Sequence, residues 1–272
     1  MIALIPARAG SKRLVGKNTK LLAGHPLIAW TIAAAQQSGV FEWILVCADA
    51  PEVWEVADRY GAHASWRAPA DDAQPDIVWL RDALTHRINW RPMTYAILRP
   101  TSPFRTAETI RRAFAQWRRE CDCCDSLRAV TPAAHTPYKM WIPQGVGMPM
   151  TPLLEGLHPD GTPYHSSPTQ TLPVVYVQTG GLEMGWTRNV ECFHTISGRK
   201  ITPFFVDGAE AVDLNTMDDW ERAERMIIRG EASLPHIGED HDHAWARERG
   251  TQDTGVSHLE RDEKSLLQPK ES

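Results

Sequence analysis

An α/β fold around a mostly parallel sheet is predicted by three short apolar runs, Ile2 to Pro6, Trp43 to Ala48 and Tyr95 to Leu98. Segments of helical periodicity separate each run from the next, the pattern of βαβ units. Leu27, Trp30, Thr31 and Ala34 share one helical face, and Ile110, Ala113, Phe114 and Trp117 share another. Val174 to Met184 and Thr202 to Val206 resume strand character. Met217 to Arg229 reads as a closing helix, with Trp220, Ala223 and Ile227 in phase.

Two regions depart from this rhythm. Residues 135–187 are rich in Pro and Gly with few periodic stretches, and read as loops and short strands inserted into the α/β frame. Residues 231–272 are polar and charged, with too little apolar material to offset chain entropy, and read as a disordered tail. The tail's His241 and His243 are read as solvated rather than metal-bound. The main domain is therefore expected over residues 1–230.

A net charge of -5 argues against a dedicated nucleic-acid binder, because such domains carry a basic field. No run of about 18 apolar residues and no secretory signal pattern is present, so no membrane partner and a cytoplasmic location are expected. The five cysteines are odd in number and unevenly spaced, which does not suit a disulfide framework. "CDCC" (Cys121 to Cys124) lacks a second ligand pair for zinc and reads as reduced thiols.

Against this acidic background "IPARAGSKRLVGKN", Ile5 to Asn18, is exceptional. It places Arg8, Lys12, Arg13 and Lys17 in one loop after the first strand, with no acid from Met1 to Phe41. Ligand phosphates sit beyond the carboxyl ends of strands in such folds, and Gly10 and Gly16 permit close backbone approach. The spacing is not a Walker loop, since five residues separate the glycines and Asn18 takes the hydroxyl position. A small polyanion is the expected partner. Asp49 admits two readings: a site residue, or a helix-capping pair with Glu52.

The opening block resembles that of the cytidylyltransferases that activate acidic sugars, the CMP-N-acylneuraminate (sialic acid) synthetase family, and the resemblance runs from Met1 to about Gly230. It implies a three-layer αβα Rossmann-like nucleotidyltransferase whose loop- and strand-rich insertion, residues 135–187, serves the substrate side and a homodimer contact. By resemblance Arg8, Ser11, Lys12, Lys17 and Asn18 bind the CTP phosphates and nucleotide, and Arg67 in "WRAPADDAQPD" contacts the nucleotide. "LRPTSPFR", Leu98 to Arg105, is similar to the family's "QPTSPLR" block. It implies Arg99, Thr101 and Ser102 in the sugar site, with Arg99 standing where glutamine is common. The relatives that activate KDO carry an acidic "GDEP"-like turn there instead. "AVDLNTMDDW", Ala211 to Trp220, is similar to the family's "IDIDT" block, whose two aspartates hold Mg2+. Here Asp213 stands and Asn215 replaces the second aspartate. Thr216 and Asp219 read as a cap of the last helix.

The substrate-side block departs most. "SPTQTLP" stands for "RQxLP", so the usual arginine falls near Thr169, while Lys139 and Gln170 remain sugar contacts by resemblance. The implied reaction joins CTP and an acidic keto-sugar, with Arg8, Lys17 and Asp213 as the catalytic set and no general base in evidence. Two alternatives stay open: another sugar nucleotidyltransferase of the same fold, such as a KDO-type enzyme, and a catalytically degenerate nucleotide-binding protein.

Overall fold

In a computed structural model, described for residues 1–10, 13–68, 74–86 and 93–238, seven strands form one sheet. They are β1 (Ile2–Pro6), β2 (Trp43–Ala48), β3 (His63–Trp66), β4 (Thr94–Ile97), β5 (Ser126–Pro132), β6 (Tyr176–Trp186) and β7 (Ile201–Phe205). The order across the sheet is β7-β5-β6-β4-β1-β2-β3. Strands β4, β1, β2 and β3 run parallel, as the βαβ pattern demands, and β7 runs parallel to β5. Strand β6 is antiparallel to both its neighbours, β4 and β5.

Both faces of the sheet are covered. In β1 the side chains alternate: Ala3 and Ile5 face one core with Ile28, Ile32, Val53, Ala57, Ile110 and Trp117, while Ile2 and Leu4 face another with Trp79, Leu80, Leu84 and Val190. Helices α1 (Leu27–Ser38), α2 (Pro51–Arg59) and α4 (Ala107–Glu120) thus lie on one side. Helices α3 (Asp76–His86) and α5 (Thr187–Glu191) lie on the other. This is the expected three-layer αβα arrangement.

Helix α1 buries more than the predicted face. Leu27 to Ala35 are all buried, because a third cluster closes over its outer side with Leu22, Phe104, Leu214, Trp220 and Ala223. Trp220 and Ala223 come from α6 (Met217–Ile228), whose start is a capping box. Thr216 Oγ1 accepts from Asp219 N, and Asp219 Oδ2 accepts from Thr216 N, as read from the sequence. Ala232, Leu234 and Ile237 pack on the same cluster, so packed chain continues beyond the expected tail boundary at 231. Residues 239–272, with the His241 and His243 pair, lie outside the described residues.

The insertion between β5 and β6 contains a ribbon of Trp141–Pro143 with Met150–Pro152 and three 3-10 turns. Its apolar side chains are largely exposed, Trp141, Ile142, Val146, Met148 and Met150 among them. Among the described residues every cysteine is a free thiol. No described helix is long and apolar enough to cross a membrane.

Candidate active site

A cleft of about 740 Å³ opens beyond the carboxyl ends of the parallel strands. Pro6 ends β1 and Arg8 follows it, Arg67 follows β3, Asp76 begins α3, and Arg99, Pro100 and Thr101 follow β4. Arg13, Lys17 and Asn18 enter from the opening loop, and Asp213 and Asn215 from the segment before α6. Of the residues the sequence singled out, Arg8, Lys17, Asn18, Arg67, Arg99, Thr101, Asp213 and Asn215 therefore share one wall-to-wall site. Ser11 and Lys12 lie outside the described residues.

The loop is held by its own polar atoms. Asn18 is buried and donates from Nδ2 to Arg8 O at 2.9 Å. Gly16 has φ 63, in the left-handed region, where a Cβ costs energy, and its carbonyl accepts from Thr19 N and Lys20 N. Ala9 N donates to Asp49 Oδ1 at 2.7 Å, so the carboxylate after β2 braces the loop after β1. The helix-capping reading of Asp49 and Glu52 is corrected here: Ala50 is the N-cap of α2, with no side-chain cap, and Asp49 points to the loop instead.

Lys17 Nζ donates to Leu214 O at 3.1 Å, tying the loop to the far segment across the cleft. Burial lowers the Lys17 pKa from its usual 10.5. Asp213 opposes that shift, and Arg13 and Arg8 add to it. Asp213 Oδ2 accepts from Asn215 Nδ2 at 2.7 Å, while its Oδ1 is buried without a partner. No group of three or more His, Cys, Asp or Glu suited to a metal occurs among the described residues. Asp213 and Asn215 nonetheless fit magnesium, which takes few protein oxygens and keeps several waters, and the partnerless oxygen is a place for it.

Arg67 is buried, its guanidinium 5.2 Å from the Trp79 ring centroid, and burial lowers its pKa. Trp79 Nε1 donates to Asp76 Oδ1 at 2.8 Å. Asp76 in turn accepts from Arg99 Nη2 at 2.5 Å, and Arg99 Nη1 donates to Glu183 on β6. Burial would raise the Asp76 pKa; the Arg99 guanidinium and the Trp79 hydrogen bond outweigh it and hold the carboxyl below its usual 3.8.

Two residues behind this wall were not found by sequence reasoning. Glu183 is 3% exposed and also pairs with Arg128, its register partner on β5, at 2.8 Å. Arg105 is 2% exposed, donating to Gly181 O and Arg99 O and, at 3.0 Å, to Thr31 Oγ1. The alternation of β6 places Glu183 on a strand, but nothing local shows that its partners lie on β5 and after β4.

Three substrate-side expectations are not brought to the cleft. Ser102 is buried; its Oγ lies 3.2 Å from where a Cβ on Gly181 would stand, so the turn that aims Thr101 into the cleft aims Ser102 into β6. Lys139 and Gln170 are exposed on 3-10 turns of the insertion, and neither lines the cleft.

Residues 2–132 match the family described as cytidylyltransferase. A CMP-N,N'-diacetyllegionaminic acid synthase of Legionella pneumophila is 46% identical over 118 residues, 42% of this chain and 51% of that relative. An N-acylneuraminate cytidylyltransferase of Escherichia coli is 39% identical over 112 residues, 40% of this chain and 26% of that relative. The matches thus span about half or less of these relatives' own lengths. A CMP:2-keto-3-deoxy-manno-octonic acid synthetase solved in complex with CTP superposes with TM-score 0.62 over 84% of this chain and 98% of its own, at 14% identity, a likeness of fold. Residues 2–132 thus match the cytidylyltransferase family that the opening block resembles, and they contribute much of the cleft lining.

Proposed function

We propose that the protein transfers CMP from CTP to the anomeric hydroxyl of a nonulosonic, sialic-acid-like sugar, releasing pyrophosphate. The observation that carries this reading is the gathering of Arg8, Arg13, Lys17 and Arg67 in the lining of one cleft in a chain of net charge -5. Four cations opposed there by Asp213 suit a triphosphate far better than a neutral ligand. The relatives named for legionaminic acid and N-acylneuraminate support an acidic nine-carbon acceptor.

The sugar hydroxyl would attack the α-phosphorus as pyrophosphate leaves in line, a transfer that rests on positioning and charge neutralisation. Arg8, Lys17 and Asn18 hold the phosphates, with Ser11 and Lys12 of the same loop proposed beside them. Arg67 supports the nucleotide. Asp213, oriented by the Asn215 amide, would hold Mg2+, which supplies charge neutralisation to phosphate oxygens when bound. The exposed apolar insertion supports a homodimer contact, and the use of CTP supports a cytoplasmic location.

The test is pyrophosphate release from each of the four ribonucleoside triphosphates with N,N'-diacetyllegionaminic acid, N-acetylneuraminate and KDO as acceptors. CTP with a nine-carbon acceptor is expected to stand out. Preference for KDO would favour the eight-carbon alternative. CTP binding without release across the panel would favour a degenerate nucleotide-binding protein, the reading that Asn215 motivates.

A further inference from the structure

Two arginines in the lining of the cleft are held in opposite ways. Arg99 is held by carboxylates, Asp76 on Nη2 and Glu183 on Nη1. Arg67 is 7% exposed and, among the described residues, its side chain has neither an ion pair nor a hydrogen bond; its Nε is buried without a partner. What it meets is a ring: the Trp79 indole centroid lies 5.2 Å from its guanidinium carbon. A buried guanidinium with no counter-ion is destabilising, and the negative face of an indole offsets part of that penalty.

The two modes leave different things behind. A carboxylate takes up hydrogen-bond donors and cancels charge, whereas a ring face attracts the cation and leaves its unit charge uncancelled. The indole is itself fixed. Trp79 is buried in the same core cluster as Leu4 and Cys47, and its Nε1 donates to Asp76 Oδ1 at 2.8 Å. Asp76 and Trp79 stand three residues apart in α3, so one face of that helix presents both the ring and the carboxylate that sets its orientation.

Building on the proposed transfer of CMP from CTP, in which Arg67 supports the nucleotide, we infer that Trp79 is the positioning residue for Arg67: its ring face holds the guanidinium in the cleft lining with the positive charge uncancelled, and its bond to Asp76 fixes the plane of the ring. The charge of Arg67 is thereby kept for an anionic nucleotide, while Asp76 accepts from Arg99 with its other oxygen. An aliphatic side chain at position 79 would fill the core but release the guanidinium.

The experiment measures CTP affinity of the full chain by calorimetry. Trp79→Phe keeps a ring face and loses the N–H, and is expected to weaken CTP binding about threefold; Trp79→Leu loses both and is expected to weaken it about tenfold. Because Trp79 is also a core residue, an isosteric series is the decisive arm. Progressively fluorinated tryptophans placed at position 79 keep the shape and the N–H while draining the ring face, and are expected to lower CTP affinity stepwise, to about fivefold, at unchanged melting temperature. In an Arg67→Ala background the same series is expected to be flat, and Trp79→Leu to add little to the loss. A flat series in the wild-type background, or an equal slope with and without Arg67, would overturn the inference and leave Trp79 a packing residue. Wild-type protein that binds no CTP sinks the functional reading itself, and the inference with it. CTP binding that is indifferent to fluorination sinks the inference alone.

Discussion

Asn215 donates its side-chain amide to Asp213 Oδ2 at 2.7 Å, leaving Asp213 Oδ1 buried and without a partner. An amide thus orients the carboxylate at the position where the resembled block carries a second carboxylate. Asp213→Asn, which removes the charge, is expected to lower turnover by about 100-fold or more. Asn215→Asp, which adds a charged oxygen, is expected to tighten Mn2+ binding by about tenfold in calorimetric titration without nucleotide. Weaker binding in Asn215→Asp would show that orientation by the amide outweighs the added charge.

Lys17 links the opening loop to Leu214, and burial lowers its pKa from 10.5. A lysine whose ammonium is disfavoured by burial loses its proton at a lower pH than a solvated one, so the proposed hold of Lys17 on phosphate would fail earlier on the alkaline side. CTP affinity is expected to fall as pH rises, beginning below the 10.5 of an ordinary lysine. In Lys17→Arg the fall is expected to move to higher pH, because a guanidinium stays charged. Calorimetry across the alkaline range reads both outcomes.

The brace between Asp49 and Ala9 acts on the loop and not on the fold. Asp49→Ala is expected to weaken CTP binding about fivefold to tenfold, equivalent to about 1 kcal/mol for one lost hydrogen bond, while the melting temperature stays nearly constant. Asp49→Asn keeps an acceptor oxygen and is expected to recover most of the affinity.

Arg105 is a different kind of residue, since it supports the cleft wall from behind without lining it. Burial, with the Arg99 charge adding to it, pushes its pKa down to about 9, so the group is still charged at neutral pH. Its donors satisfy the Gly181 and Arg99 carbonyls and the Thr31 hydroxyl. Arg105→Leu strands these acceptors and is expected to destabilise the protein by about 3 kcal/mol, measured by denaturant unfolding.

The thiols offer a check on the cores. Burial pushes Cys47 up to about 12, and burial, with the nearby Glu120 carboxylate adding to it, pushes Cys124 up to about 11. Cys123 and Cys192 are exposed. A thiol-specific reagent at neutral pH is expected to label Cys123 and Cys192 rapidly in the native protein, and Cys47 and Cys124 only after unfolding. Rapid native labelling of Cys47 would contradict its place on β2, packed against α3.

Much of this architecture was legible because local pattern and global fold agree. The β1 and β2 runs are found at the bounds read from their apolar residues, β4, β6 and β7 shift by one or two positions, and β3 and β5 were not read from the sequence. The cations Arg8, Arg13 and Lys17 were legible for the same reason, since they stand close together in one loop. The wall around Arg99 was not. Arg99 meets Asp76, 23 residues before it, and Glu183, 84 residues after it, and only the antiparallel entry of β6 brings those carboxylates together. Asp49 shows the same limit on a smaller scale: its spacing to Glu52 suggests a cap, but the loop after β1 supplies the donor it takes.

The antiparallel course of β6 sets a rule for length variation. Its side chains alternate between faces, and its pairing with β5 already shifts between Gln178 and Glu183. One residue gained or lost between Gly181 and Trp186 would turn Glu183 to the opposite face and leave two guanidiniums stranded. The stretch before Tyr176 can absorb such changes as loop. Natural insertions and deletions should accumulate upstream of that tyrosine and spare the segment that follows it.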